Sequence, residues 1–273
     1  MRPMNSLSVV AVFGLCLAGC GAPQEDLGGD GLASQIERDF GGPSGLMDFF
    51  ESHSEAEIQQ ALAPYGVGFQ LHTPEELQQE MELRGATGVN AALITDCPQY
   101  FPTSDRNIWH SLNGEYYYIE GSGRPNRAYS YLPPIAAEAR NDSCQTSVGQ
   151  WGDAANPSND YDGGHLIGSQ LGGWGKRANL VPQDANFNRG NWVTLENKMA
   201  KCASLPAGRL RYYIGANYSN STTLIPNTLT MQITNQSSGA NISLSFDNVD
   251  YGGTNGTAQK NSGVTFLTNQ GCN

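Results

Sequence analysis

Three stretches carry residue types that do chemistry: DGGHLIGSQLGG at 162–173, NLVPQDANFNRGNW at 179–192 and TLENK at 194–198. The first sets one imidazole, His165, directly behind Gly163 and Gly164. Glycine at that density marks backbone that turns sharply or lies close to another group. The second is rich in asparagine, Asn179 and Asn188 among them, and the third places Glu196 eight residues after Asn188. On a helix starting near Asn188, eight residues amount to about 80° of rotation at 3.6 residues per turn. Asn188 and Glu196 then look toward the same side. A strand ending in His165 and packed on that side brings an imidazole, a carboxamide and a carboxylate together.

Such a trio suits hydrolysis of a phosphodiester. A neutral imidazole titrates near neutral pH and can take a proton from water. Magnesium keeps most of its waters and asks for few protein ligands, all oxygen, so one asparagine oxygen suffices. The ion stabilises charge on the phosphate and the departing oxygen. A carboxylate one shell out holds a metal-bound water, and the glycines before His165 leave room for the phosphate backbone. Manganese suits the same oxygen donors. Each residue alone has a plainer reading: His165 a structural histidine, Asn188 a helix cap, Glu196 a solvated helix residue. Together, in one long pattern, they favour chemistry.

The run DGGHLIGSQLGG…NLVPQDANFNRGNW…LEN resembles the bacterial DNA/RNA non-specific endonucleases, the ββα-metal or His-Me finger nucleases. Within them it is similar to the branch marked by DGGH or DAGH and then NLVPxxxNxNRGxWxxLE, with the core of the match over 160–202. The resemblance implies an α+β fold, an antiparallel sheet with the metal-site helix packed on it. It implies a phosphodiesterase-type hydrolase that cuts DNA and RNA with Mg2+, leaving 5′-phosphate and 3′-hydroxyl ends. His165 is then the general base, Asn188 the metal ligand and Glu196 the residue that orients a metal-bound water. Asn179 supports the metal or phosphate site by hydrogen bonds. Many relatives carry arginine two residues before the histidine, as DRGH; here that position is Gly163. A phosphate-binding cation must come from elsewhere, and Arg127, Arg189, Lys176 and Arg177 are the candidates. Asp162 is expected to fix the turn before His165 or to bond the loop backbone. An alternative from another class is a non-catalytic nucleic-acid-binding surface lipoprotein with a nuclease-like fold. Retention of His165, Asn188 and Glu196 argues against it. No GxSxG, HExxH or GxxxxGK[ST] is present, so α/β-hydrolase, zincin and P-loop chemistry have no support.

The elements that must position these residues are readable in part. EYYYIE at 115–120 and RAYSYL at 127–132 predict two strands around a turn, ended by Pro133 and Pro134. Residues 135–160 read as mostly irregular. His165 sits at a strand end, an asparagine-rich loop follows, and WVTLENKMA at 192–200 predicts a helix with Trp192, Leu195 and Met199 on one face. The tail reads as β: Leu229, Met231 and Ile233 alternate, as do Ile242, Leu244 and Phe246, joined by polar NQSSGAN. Upstream, SEAE at 54–57 and TPEE at 73–76 fit capping boxes, with Ile58, Leu62 and Leu77, Met81 at four-residue spacing. His53, His72 and His110 have no motif around them and read as structural.

The first twenty residues read as an address: Arg2, a short apolar run, then LAGC ending at Cys20. That resembles a bacterial lipobox, with Cys20 lipidated and the chain anchored to a membrane; the plainer reading is an ordinary secretory signal. Gly21 in place of Asp implies, by the same resemblance, the outer membrane or cell surface. Residues 21–34 read as a flexible tether, 35–95 as an acidic, mainly helical segment, and 96–273 as the nuclease domain. Residues 21–96 hold 14 acidic and two basic residues, and 12 of each follow, so the net −11 belongs to the first third. That segment is either a solvated spacer or an acidic plug for the phosphate groove. An immunity or inhibitor protein is a candidate partner. Cys97, Cys144, Cys202 and Cys272 remain after the leader. In an exported chain they predict two disulfides, with three pairings open.

Overall fold

The computed structural model describes residues 31–73, 75–77, 79, 82, 94, 96–133 and 141–273. The leader, Cys20, the tether up to residue 30, and Met81 lie outside the described residues. The architecture is α+β. Helices α1 (Gly31–Asp39), α2 (Gly42–Ser52) and α3 (Glu55–Leu62) lead into strand β1 (Gly68–His72). Then come β2 (Ile108–Leu112), β3 (Glu115–Ile119), β4 (Pro125–Leu132), helix α4 (Asp142–Ala155) and the hairpin β5 (Tyr161–His165) and β6 (Leu180–Asp184). Helical turns over 185–192 run into α5 (Val193–Ala200), followed by β7 (Leu210–Asn217), β8 (Thr228–Asn235), β9 (Asn241–Asp247) and α6 (Gly256–Asn269). Seven strands form one sheet in the order β1-β2-β3-β4-β7-β8-β9, antiparallel except for the β1–β2 pair.

Each side of this sheet is a core, and the sequence texture follows from that. EYYYI shows no polar alternation because β3 is covered on both faces. Tyr116 and Tyr118 enter the core under α1–α3, while Tyr117 and Ile119 enter the core that holds Trp192, Leu195 and Met199. Strands β8 and β9 do alternate, with Leu229, Met231, Ile233, Leu244 and Phe246 buried and the residues between them at least partly exposed. On the helical side Phe50 meets Phe69, Trp109 and Tyr116 at ring distances of 5.1, 5.3 and 5.2 Å.

Four expectations change. The tether gives way to helix at Gly31 rather than continuing to 34. Residues 142–155, read as irregular, form α4, capped by the Asn141 side chain. The loop after His165 contains β6, which pairs with β5 from Tyr161↔Asp184 to His165↔Leu180. The tail is not all β: α6 packs on the β9 edge, where Leu267 joins the core.

The described part of the acidic segment is packed into the fold. Its strand β1 extends the same sheet, with Phe69 opposite Trp109, so no break in packing marks residue 95. Its acids are used locally. Glu37 takes a hydrogen bond from Arg127 Nε at 2.9 Å and another from the Tyr129 hydroxyl. Asp48 and Glu51 pair with Arg211. Glu57 and Glu76 complete the capping boxes of Ser54 and Thr73. His72 Nε2 and His110 Nδ1 lie 3.0 Å apart across β1 and β2, and burial, then the His72 charge, lowers His110 to a pKa of about 3. His53 Nδ1 lies 3.0 Å from the Phe49 carbonyl. The four cysteines pair as Cys97–Cys144 and Cys202–Cys272, the second tying the end of α5 to the C-terminus.

Candidate active site

The β5–β6 hairpin and the helix that follows form a compact ββα unit. The Asp184 side chain caps that helix, accepting from Phe187 N at 3.0 Å, so the cap is Asp184 and not Asn188. Helical backbone then continues through a π turn over Asn188–Trp192 before α5 begins. A π turn holds more residues than an α turn, so the 80° expected from Asn188 to Glu196 does not apply. Such bulges recur at functional sites because they re-aim side chains within a helix.

His165 closes β5 and is 7% exposed. Its carbonyl accepts from Trp192 Nε1 at 3.1 Å, which pins the strand end to the helix one turn after Asn188. Glu196 is 8% exposed and lies against Gly168, three residues after His165. A methyl group at Gly168 would fall 2.8 Å from Glu196 Oε1. On the sheet side, Tyr212 is raised well above the usual phenol range, first by burial, then by Glu115, with Glu196 adding to it. Glu196 is therefore an interior carboxylate, not a solvated helix residue.

Asp162 proves to be the hub of the unit. Its carboxylate accepts from Asn188 Nδ2 at 2.9 Å and, as a fork, from Arg189 Nε at 2.8 Å and Nη2 at 2.5 Å. Those two bonds raise Arg189 further above its ordinary pKa. A carboxylate only accepts, so it fixes which end of the Asn188 carboxamide faces it and turns the oxygen away. An oriented amide oxygen and an interior carboxylate are hard oxygen donors that suit Mg2+ or Mn2+.

Other expectations shift. The Asn179 carboxamide does not reach outward. It accepts from Ile167 N at 2.8 Å and donates to the Ile167 and Trp174 carbonyls at 2.8 and 2.9 Å, so it clamps the loop after His165 rather than contacting a reacting group. Arg127 points to the opposite face of the sheet, onto Glu37 and, at 2.9 Å, Ser34 Oγ. Arg177 is fully buried, donating to the Leu180 and Gln99 carbonyls, and burial lowers its pKa to about 10. Neither meets a phosphate in this arrangement. Arg189 and Lys176 are the remaining candidates; Lys176 lies in the β5–β6 connection, half-buried. The glycines before His165 serve packing: a Cβ on Gly163 would strike the Gln145 carbonyl of α4, and one on Gly164 the Gln183 side chain. Beside them a cleft of about 420 Å3 is lined by Asp142, Asp153, Asp162, Gln145 and Gln150. Its acids disfavour a phosphate backbone. Sequence reasoning missed the role of Asp162, although it stands in the motif itself, and missed the Gly168–Glu196 contact, which no local pattern announces.

Two solved structures of NucA from Streptococcus agalactiae are similar to this chain. The one with magnesium bound has a TM-score of 0.37 and 20% identity, covering 49% of this chain and 71% of NucA. The one with no metal bound has a TM-score of 0.37 and 18% identity, covering 64% of this chain and 90% of NucA. Residues 106–237, just under half of the chain and including the whole ββα unit, match the family model of the DNA/RNA non-specific endonucleases.

Proposed function

We propose that this protein is a metal-dependent endonuclease that hydrolyses phosphodiester bonds of DNA and RNA. The observation that supports it best is the ββα unit, in which Asp162 of the DGGH strand orients Asn188 of the NRG turn, within the segment that matches the endonuclease family model. In this reading the His165 imidazole accepts a proton from the attacking water. The Asn188 oxygen would hold Mg2+, or Mn2+, and the Glu196 carboxylate would orient a water at the site. Arg189, assisted by Lys176, meets a substrate phosphate, and Asn179 keeps the loop after His165 in place. The ion, when bound, supplies positive charge against the phosphate and the departing oxygen. Cys20 carries lipid in the same reading and holds the enzyme at the outer membrane or cell surface.

The test is degradation of plasmid DNA and of RNA by the purified chain, with magnesium and with EDTA. Both polymers are expected to be cut only with the metal. His165→Ala is expected to lose at least about 100-fold in rate, the low end for removal of a general base, with the melting temperature kept. Undiminished turnover by that variant overturns the role of His165. No cutting with either magnesium or manganese overturns the endonuclease.

A further inference from the structure

We propose that Tyr251 is a base-stacking platform against the turn that carries Asn188 and Arg189, and that it takes an unpaired base of the nucleic-acid substrate. The inference rests on the endonuclease reading and deepens it. Tyr251 lies outside the segment that matches the family model, in the turn between β9 and α6.

The first observation is exposure. Tyr251 is 55% exposed, the largest value among the exposed large hydrophobic side chains of the described residues, and Val249 beside it is exposed as well. The second is backbone strain. Tyr251 has φ 52° and ψ 16°, a left-handed conformation that a bulky residue rarely adopts and glycine adopts freely. Gly252 and Gly253, which follow, also have positive φ. A tyrosine kept where glycine fits better points to a use for the ring.

The third observation is position. The Asn191 Nδ2 donates to the Tyr251 carbonyl at 2.5 Å. The ring lies over Gly190, with Cδ1 and Cε1 at 3.5 and 3.7 Å from where a Cβ would start. Gly190 directly follows Asn188 and Arg189, so the phenol ring adjoins the turn that carries the candidate metal ligand and the exposed guanidinium. A flat ring and a cation carried on neighbouring turns suit unpaired nucleic acid: the base stacks and the phosphate meets the charge. Stacking is indifferent to base identity, which fits a nuclease without sequence preference. In a duplex the base reaches the ring by leaving its stack.

The experiment measures binding apart from cleavage. A labelled single-stranded oligonucleotide is titrated with the full chain carrying His165→Ala, in EDTA, and Kd is read by fluorescence anisotropy. Adding Tyr251→Asn is expected to weaken Kd about tenfold, since one base–aromatic stack contributes about 1–3 kcal/mol. Tyr251→Phe is expected to bind as the parent does. Asparagine tolerates the left-handed backbone, so the fold should survive; Tyr251→Gly, which relieves the strain outright, is the second variant, its folding checked by thermal melting. Kd within twofold of the parent for a folded Asn or Gly variant overturns the proposal, and so does a Phe variant as weak as the Asn one. If the unmutated chain cuts nucleic acid while Kd ignores residue 251, the stacking role alone fails. If Kd depends on the ring but nothing is cut, the endonuclease fails and the binding site stands.

Discussion

On the helical face of the sheet, the Arg127 and Arg211 side chains are only 6% and 9% exposed and meet Glu37, Asp48 and Glu51. On the opposite side, in the ββα unit, the Arg189 side chain is 66% exposed while bound to Asp162. The pairings are chemically alike, arginine on carboxylate, yet they serve different ends. A buried guanidinium cannot leave its partner without stranding a charge in the interior, so it joins layers. An exposed one gives up its partner at little cost, because water and salt already screen the pair. Burial, more than nearness to a motif, decides which cations of this chain a phosphate can reach. In the described part of the acidic first third, Glu37, Asp48 and Glu51 neutralise arginines at the back of the sheet.

The largest break of this contrast is removal of the helical layer. A chain begun at Cys97 loses β1 and bares Trp109, Tyr116, Tyr118, Tyr129 and Tyr213, and Arg127 and Arg211 lose the carboxylates of Glu37, Asp48 and Glu51. It is expected to be insoluble or to show no cooperative thermal transition by circular dichroism. A sharp melt near that of the parent would mean that the layer is an appendage after all. A narrower break is Arg127→Ala. Removing one partner of a buried pair costs about 3 kcal/mol or more, so chemical denaturation should show a loss of that order. The kcat/KM of the folded variant should hold, because Arg127 faces away from the ββα unit. A normal stability with a reduced kcat/KM would put Arg127 back among the phosphate contacts.

The same contrast explains what could be read in the sequence. Strands β3, β4, β8 and β9 were legible because their apolar residues either alternate or run unbroken between turn signals. Both capping boxes were legible because their geometry is local. Helix α4 was not, since DSCQTSVGQWGDAA offers only a thin apolar stripe, Cys144, Val148 and Trp151, among polar residues and glycines. Its helix–strand contact is made by absence: a Cβ on Gly149 would fall 2.7 Å from the Tyr161 carbonyl, and one on Gly152 2.7 Å from Tyr161 Cβ. In the candidate site, the motif spacing picked out His165, Asn188 and Glu196, and the fold sets them in one ββα unit. It could not show which polar groups are consumed internally. Asn179 stands in the same motif as Asn188, and Arg177 two residues before Asn179, but both donate to backbone carbonyls, and only tertiary packing distinguishes the cases. Tyr251 had no signal at all, being one aromatic residue in a polar loop.

The smallest effect on stability, and the sharpest on function, is expected at Arg189. Replacing it with alanine removes a surface pair, which contributes at most about 1 kcal/mol. The melting temperature should move little. Asp162 keeps its bond from Asn188, so the carboxamide stays oriented. What is lost is a forked, charge-assisted donor for phosphate. KM for nucleic acid should rise, by roughly tenfold for a charged hydrogen bond at the low end of its range, with kcat less affected. Arg189→Lys keeps the charge but not the fork, and should recover only part of the loss. Because one fewer phosphate is neutralised, log Kd should also depend less steeply on log salt, by about one unit of slope. Unchanged KM and salt slope would show that Arg189 does no more than brace Asp162. The two faces of the sheet would then differ in the exposure of their arginines but not in their purpose.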